Sequence, residues 1–391
     1  LLNPAFGFLS PGVSESVRNI LIGVLFAVFP LGQLFGSPII GDMADHYGRR
    51  RTFFITLIGT VVGYILSALS ILIHSYVLLL ISRLLCGFVA GNLSLCLASI
   101  ADLTPTERSR GRHYGFIAMT AGLSWILAML AGGYLSDEKI YHYFSPAVPF
   151  LLAAVLSFLA LWAVAALFKE TRPSRLKRLK FDLLRGAHNV MTSFRIREVR
   201  WLYLVYFCWV IGWGATIQWF TPFSIERFHI HDVEISWALV GFGASWSIGG
   251  SLFNWFLLKE LSSSAIAKGG LFLSFAFTLA LAVCYYYTAF MWLYIVSAAF
   301  AGVAMSNILN LISLSAPTNM QGKVMGLSQS TMALGWIIGP ILGGLFAGYV
   351  SISWIYYFAA IFLFLSFLFL MLDNHKKRRA GRRSKDPFEM N

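Results

Sequence analysis

Residues Gly41 to Arg51 read GDMADHYGRRR, two aspartates followed by three consecutive arginines. Opposite charges this close form exchangeable ion pairs, and Gly41 and Gly48 let the chain turn tightly and pack closely around Asp45, Arg49 and Arg50. Arg83 is an isolated charge inside Val77–Ala101, a run otherwise free of ionised residues, where it demands a partner or a watery cavity. Gln218, Asn307 and Asn310 are polar residues within apolar runs; the two asparagines, three apart, share one helix face. Their chemistry is solute recognition or hydrogen bonding between helices, and the spacing leaves both open. Catalytic sets are missing: there is no buried Ser/His/Asp group, no H-E-x-x-H and no Asp pair. Cys86, Cys96, Cys208 and Cys284 lie inside apolar runs without metal-ligand spacing. The chain is therefore not read as an enzyme, and no metal or cofactor is expected.

The elements that must hold these residues are set by solvent. The chain is 58% hydrophobic and 12% charged, with mean hydropathy +0.72. Soluble domains carry about 25% charged residues, so this sequence cannot build a water-facing surface. Uncharged runs long enough to cross a bilayer fall at Ile20–Ile40, Thr52–Ile73, Val77–Ala101, Tyr114–Ser136 and Pro146–Phe168. After a charged stretch come Trp201–Ser224, Ile235–Leu258, Gly269–Tyr287, Ala289–Leu314, Val324–Tyr349 and Ser353–Leu372. A helix rises about 1.5 Å per residue, so some twenty residues cover the roughly 30 Å hydrocarbon core. The reading is an all-α polytopic membrane protein with five spans, a break, and six more. LLNPAFGFL resembles the tail of an apolar run and the chain opens on Leu1; a further span is expected before residue 1, giving twelve in two six-helix bundles.

Alternating the loops puts most of the 30 Lys and Arg residues on one side, including Arg49–Arg51, Arg108, Arg110 and Arg112, the stretch Lys169–Arg200 and the tail HKKRRAGRRSK. Basic loops mark the cytoplasmic side. The net charge of +13 is thus topology meeting an anionic inner leaflet, and no nucleic-acid partner is expected. The expected organisation is an N-terminal bundle over 1–168, a cytoplasmic linker over 169–200, a C-terminal bundle over 201–372 and a basic cytoplasmic tail over 373–391. Leu176, Leu179, Phe181, Leu183 and Leu184, set among bases, suit a helix lying on the inner leaflet; a solvated linker suits the first half of that stretch equally.

The halves carry a repeat. In one register Gly111 matches Gly322, Gly115 matches Gly326, Thr120 matches Thr331, Trp125 matches Trp336, and Gly132 and Gly133 match Gly343 and Gly344. Spans six helices apart with loops on the same side describe a parallel repeat about an axis along the membrane normal, an arrangement that encloses a substrate site near the midplane.

G-x-x-x-D-x-x-G-R-R between the second and third of twelve spans is similar to the signature loop of the major facilitator superfamily, here Gly41, Asp45, Gly48, Arg49 and Arg50. RLLCGFVAG at Arg83–Gly91, ADLTPTERSRGRHYG at Ala101–Gly115 (with Arg108) and KETRP at Lys169–Pro173 agree with it. The chain resembles most the drug/proton antiporter branch that includes tetracycline-efflux proteins. The resemblance implies that Asp45 faces the start of the eleventh helix, near 323–329, and that an arginine meets Asp102 at the end of the fourth. Such a set acts as a latch when the halves rock, worth about 1–3 kcal/mol in total; the plainer alternative is that the arginines only fix topology. It also implies that Arg83 either relays protons or holds the first of the twelve helices by backbone hydrogen bonds. Antiporters of this branch carry G-P then G-G in the fifth helix. Here Ala128 and Met129 precede Gly132 and Gly133, whereas the second copy keeps Gly339, Pro340, Gly343 and Gly344, so bending should be easier there.

No acidic residue falls within the apolar runs, so the titratable group that proton coupling needs is expected in the span before residue 1. The functional expectation is a monomeric secondary transporter of the bacterial cytoplasmic membrane. It works by rocker-switch alternating access and exports an amphipathic small molecule against a proton. Proton-coupled or facilitative uptake of an amino acid, sugar or organic anion is the alternative, and a non-transporting receptor is the rival class.

Overall fold

With no water in the hydrocarbon core, a spanning backbone must satisfy its own N–H and C=O groups, and apolar runs of this length do so as helices. In a computed structural model, residues 8–9, 12–103, 107–171, 199–230, 232–315 and 321–383 are described, apart from the side chains at 45, 93–94, 97–98, 101, 107–119, 121–122, 232, 321–326 and 374–383. Among the described residues the regular structure is helical throughout: α1 (Glu15–Tyr47), α2 (Arg49–Leu72), α3 (Tyr76–Phe88), α4 (Asn92–Leu103), α5 (Glu107–Ser136), α6 (Val148–Leu167), α7 (Arg200–Gln218), α8 (Phe220–Phe228), α9 (Asp232–Ile248), α10 (Asn254–Glu260), α11 (Ser263–Ala282), α12 (Tyr287–Leu314), α13 (Gln321–Tyr349) and α14 (Ile355–Arg383). Eight helices among the described residues are long and apolar enough to cross a membrane.

The helices are built inside out relative to a soluble bundle. On α2, Ile55, Ile58, Val62, Ile65, Leu69 and Leu72 are exposed, spaced by three and four so that they form one stripe. The opposite face buries Thr52, Thr56, Gly63, Ser67 and Ser70. Apolar side chains gain nothing by leaving lipid, so the inner face is chosen for close approach and hydrogen bonding. Ser67 Oγ donates to Gly63 O at 2.9 Å and lies 2.9 Å from Ser82 Oγ on α3. Between α1 and α3 the same logic uses glycine: a Cβ on Gly32 would lie 2.7 Å from Phe88 N, and one on Gly87 would strike the Phe29 backbone.

Three expected spans are broken helices. Val77–Ala101 becomes α3 and α4, because the chain turns at Val89–Gly91, where Gly91 N–H donates to Val89 O at 2.8 Å. Trp201–Ser224 becomes α7 and α8, with Trp219 between them, and the second helix runs on to Phe228. Ile235–Leu258 becomes α9 and α10, joined by a wide π turn over Gly249–Phe253. That turn packs backbone to backbone on α12, where a Cβ on Gly249 would sit 2.5 Å from Ala299 Cα.

The described residues form two compact units. The first holds α1–α6 with 221–243 and 340–352; the second holds α7, 244–339 and the helix from 353 on. Helix α13 is divided between them at Gly339 and Pro340.

Candidate functional site

Gly48 is a one-residue hinge between α1 and α2, with φ +93°, a conformation L side chains rarely adopt. A Cβ there would lie 2.5 Å from Glu170 Oε2. The close approach has a purpose: Glu170 Oε1 accepts from Arg49 N–H at 2.8 Å and Oε2 accepts from Arg50 N–H at 3.1 Å. One carboxylate thus satisfies two orphan donors of the first turn of α2, where a helix also favours negative charge.

The arginine side chains diverge from that shared point. Arg49 is buried and its Nε donates to Asp102 Oδ2 at 3.1 Å, with Asp102 partly open to solvent. The Thr171 hydroxyl donates to the same oxygen at 3.4 Å. Arg50 Nη2 donates to Ala165 O at 2.8 Å and its guanidinium lies 5.7 Å from the Phe54 ring centroid. Arg51 lies over Tyr47 at 5.3 Å. A sequence reading assigns Asp102 from resemblance, but not Glu170; KETRP was the signal available. The side chains of Asp45 and Arg108, and the α13 side chains over 321–326, lie outside the described residues. Among the described residues nothing lies within 4 Å of a Cβ added at Gly41.

Arg83 is half-buried on α3, its guanidinium 5.0 Å from the Phe29 ring centroid on α1. One turn further, Gly87 meets the Phe29 backbone. The charge and the glycine therefore hold the same point of α1.

The polar candidates of the second unit separate. Asn307 is 1% exposed; its Nδ2 donates to Asn254 Oδ1 at 2.6 Å and to Val303 O at 2.9 Å. Its own Oδ1 is buried without a hydrogen-bond partner among the described residues. Asn310 is exposed and its Nδ2 donates to Ser263 Oγ at 2.8 Å, tying the end of α12 to the start of α11. The two asparagines thus differ in exposure and in partners. Gln218 Oε1 is buried at the end of α7 without a hydrogen-bond partner among the described residues. On α7, Trp209 and Trp213 both face Trp246 of α9, at 6.0 and 5.6 Å between ring centroids. In α13, a Cβ on Gly339 would sit 3.4 Å from Ile211 Cα, and Pro340 O meets Gly23 of α1.

A family model described as Major Facilitator Superfamily matches residues 1–329 and 228–389. The chain belongs to the major facilitator superfamily. Its relatives include the class H tetracycline resistance protein of Pasteurella multocida, 26% identical over 372 residues that cover 93% of this chain and 88% of the relative. The fold is similar to that of the human organic anion transporter MFSD10, with TM-score 0.63 and 21% identity over 94% of this chain and 87% of that one. It is also similar to a D-xylose–proton symporter, with TM-score 0.71 and 15% identity over 92% and 88%. This superfamily member is a multi-pass membrane transporter of small molecules, and its family's chemistry is translocation, not catalysis.

Proposed function

We propose that this transporter exports an amphipathic small molecule across the inner membrane of a bacterium by alternating access, in exchange for a proton. The halves 1–168 and 201–372 rock about a central site, joined by the cytoplasmic linker 169–200. The observation that carries this is the junction at Gly48, where Arg49 joins Asp102 by its side chain and Glu170 by its backbone. A loop that only set topology would need its charges, not a buried Arg49 and a left-handed glycine fitted against Glu170. Efflux is favoured over uptake by the tetracycline resistance relatives. Asn307 Oδ1 and Gln218 Oε1 are the atoms offered to the solute. Both are acceptors, which suits a neutral or amphipathic molecule carrying hydrogen-bond donors.

The test is uptake of a tetracycline-like fluorescent probe into everted membrane vesicles holding the full chain. Accumulation that collapses when a protonophore dissipates the pH gradient is expected. Accumulation indifferent to the gradient would remove proton coupling, and probe movement only in right-side-out vesicles would reverse the direction.

A further inference from the structure

Asn307 of α12 has both of its amide hydrogens committed, one to Val303 O at 2.9 Å and one to Asn254 Oδ1 at 2.6 Å. Val303 O is a backbone carbonyl and can only accept. The atom facing it is therefore the amide nitrogen, and Asn307 Oδ1 is turned the other way. That oxygen is buried without a hydrogen-bond partner among the described residues, on a residue 1% exposed. A buried acceptor left in this state is costly, and the two bonds at the opposite end of the same amide impose it.

Asn254 reaches α12 through the shape of its own helix. The π turn over Gly249–Phe253 comes directly before it. Such a turn holds one residue more than the α-helix it interrupts, and each residue winds an α-helix by about 100°. Wound as a regular α-helix, the same sequence would swing Asn254 by that angle away from α12. Its neighbours Leu252, Phe253, Trp255 and Phe256 are exposed, as suits side chains that face lipid, whereas Asn254 is half-buried. Helix α12 supplies the seat for the wide turn. A Cβ on Gly249 would lie 2.5 Å from Ala299 Cα, and one on Gly302 would lie 3.0 Å from Gly250 N. The Ser306 hydroxyl donates to Gly302 O at 3.0 Å and to Gly250 O at 3.3 Å, so the residue adjacent to Asn307 pins the turn in place. The turn, Asn254 and Asn307 all belong to the second unit.

We infer that Asn254 is a positioning residue for solute selection: carried to α12 by the π turn, it fixes the Asn307 amide so that only the oxygen is offered, and the transporter thereby selects solutes that bring an N–H or O–H donor. An asparagine is ordinarily ambivalent, since its amide presents donors or an acceptor according to how it turns about χ2. With both hydrogens held, Asn307 meets a solute as an acceptor only. A donor on the solute gains a bond there. A solute carrying only ether or carbonyl oxygens sets acceptor against acceptor and leaves both unpaired. Under the proposed function, on which this role rests, Asn307 Oδ1 receives the solute; Asn254 decides what Asn307 can offer, by touching Asn307 and not the solute.

The test is equilibrium binding to the full chain in lipid nanodiscs, with a tetracycline-like fluorescent probe and its exhaustively methylated counterpart, which keeps the acceptors and has no O–H or N–H. The unaltered chain should bind the donor-bearing probe about 10-fold more tightly. Asn254→Ala frees one amide hydrogen and lets the amide turn, so the preference should shrink to about 2-fold, chiefly through tighter binding of the methylated probe. Retained binding of the donor-bearing probe reports a folded chain. Asn254→Asp still accepts from Asn307 Nδ2 and should restore the preference, which a role in packing alone would not require. Equal binding of the two probes by the unaltered chain, or a preference unmoved by Asn254→Ala, would overturn the inference. Everted vesicles holding the same proteins separate the two proposals. A preference in binding without probe accumulation would remove export and leave the selection; gradient-driven accumulation without a preference would do the reverse.

Discussion

Arg49 and Asp102 meet at 3.1 Å through Nε and Oδ2, and the same arginine's backbone N–H is held by Glu170 at 2.8 Å. Three segments far apart in the chain are thereby joined at the first residue of α2. The side-chain bond can exchange partners without unwinding the helix, whereas the backbone bonds to Glu170 keep the first turn of α2 in place. The junction thus combines backbone bonds that cap α2 with a side-chain ion pair, the pair being the part the proposed latch would use.

Asp102→Asn keeps the shape of the Arg49 partner and removes its charge. Transport should slow about 5- to 30-fold, corresponding to about 1–2 kcal/mol of lost coupling, with little change in thermal stability. Initial rates in vesicles and unfolding in detergent check both halves. Asp45→Asn should slow transport in the same way; an unchanged rate in that variant would leave Asp45 outside the latch.

Gly48→Ala should instead damage the fold. With φ 93° and ψ 163° the residue lies in a region essentially confined to glycine, which costs a side chain about 1–3 kcal/mol, and the new Cβ meets Glu170. Glu170→Gln should cost less, about 0.3–1 kcal/mol, because the amide oxygen still accepts one N–H while the charge at the helix N-terminus is lost. Unfolding temperatures of the purified variants rank the two.

The membrane class and the Gly48 loop were legible because both are local: apolar runs state their own length, and the G-x-x-x-D-x-x-G-R-R spacing lies within one turn and its flanks. Asp102 could be placed only by resemblance. Glu170 was visible as part of KETRP, but which oxygen turns back to cap α2 depends on how α6 packs beside it, and no local pattern records that. The breaks at Val89–Gly91 and Gly249–Phe253 escaped because a hydropathy run registers burial in lipid, not helix winding. Asn307 and Asn310 share a face by spacing, yet one is buried against Asn254 and the other is exposed beside Ser263, because burial depends on which neighbour covers each position and spacing does not record that.

Phe29→Leu separates two readings of Arg83. If the arginine anchors α1, loss of the ring at 5.0 Å should lower stability by about 0.5–2 kcal/mol, and Arg83→Lys should be milder. If Arg83 relays protons, Arg83→Lys should abolish gradient-driven transport while downhill substrate movement persists, and Phe29→Leu should leave both intact. Unfolding together with the two transport modes distinguishes them.

Asn307→Ala and Asn254→Ala form a double-mutant cycle. If their 2.6 Å bond serves only packing, the coupling energy in unfolding should be near 0.6 kcal/mol, and KM should not change. If Asn307 Oδ1 receives the solute, Asn307→Ala should raise KM about 10-fold, equal to about 1.4 kcal/mol, while Asn254→Ala changes KM less. Gln218→Ala should raise KM in the same direction, whereas Asn310→Ala, at the exposed end of α12, should leave it unchanged.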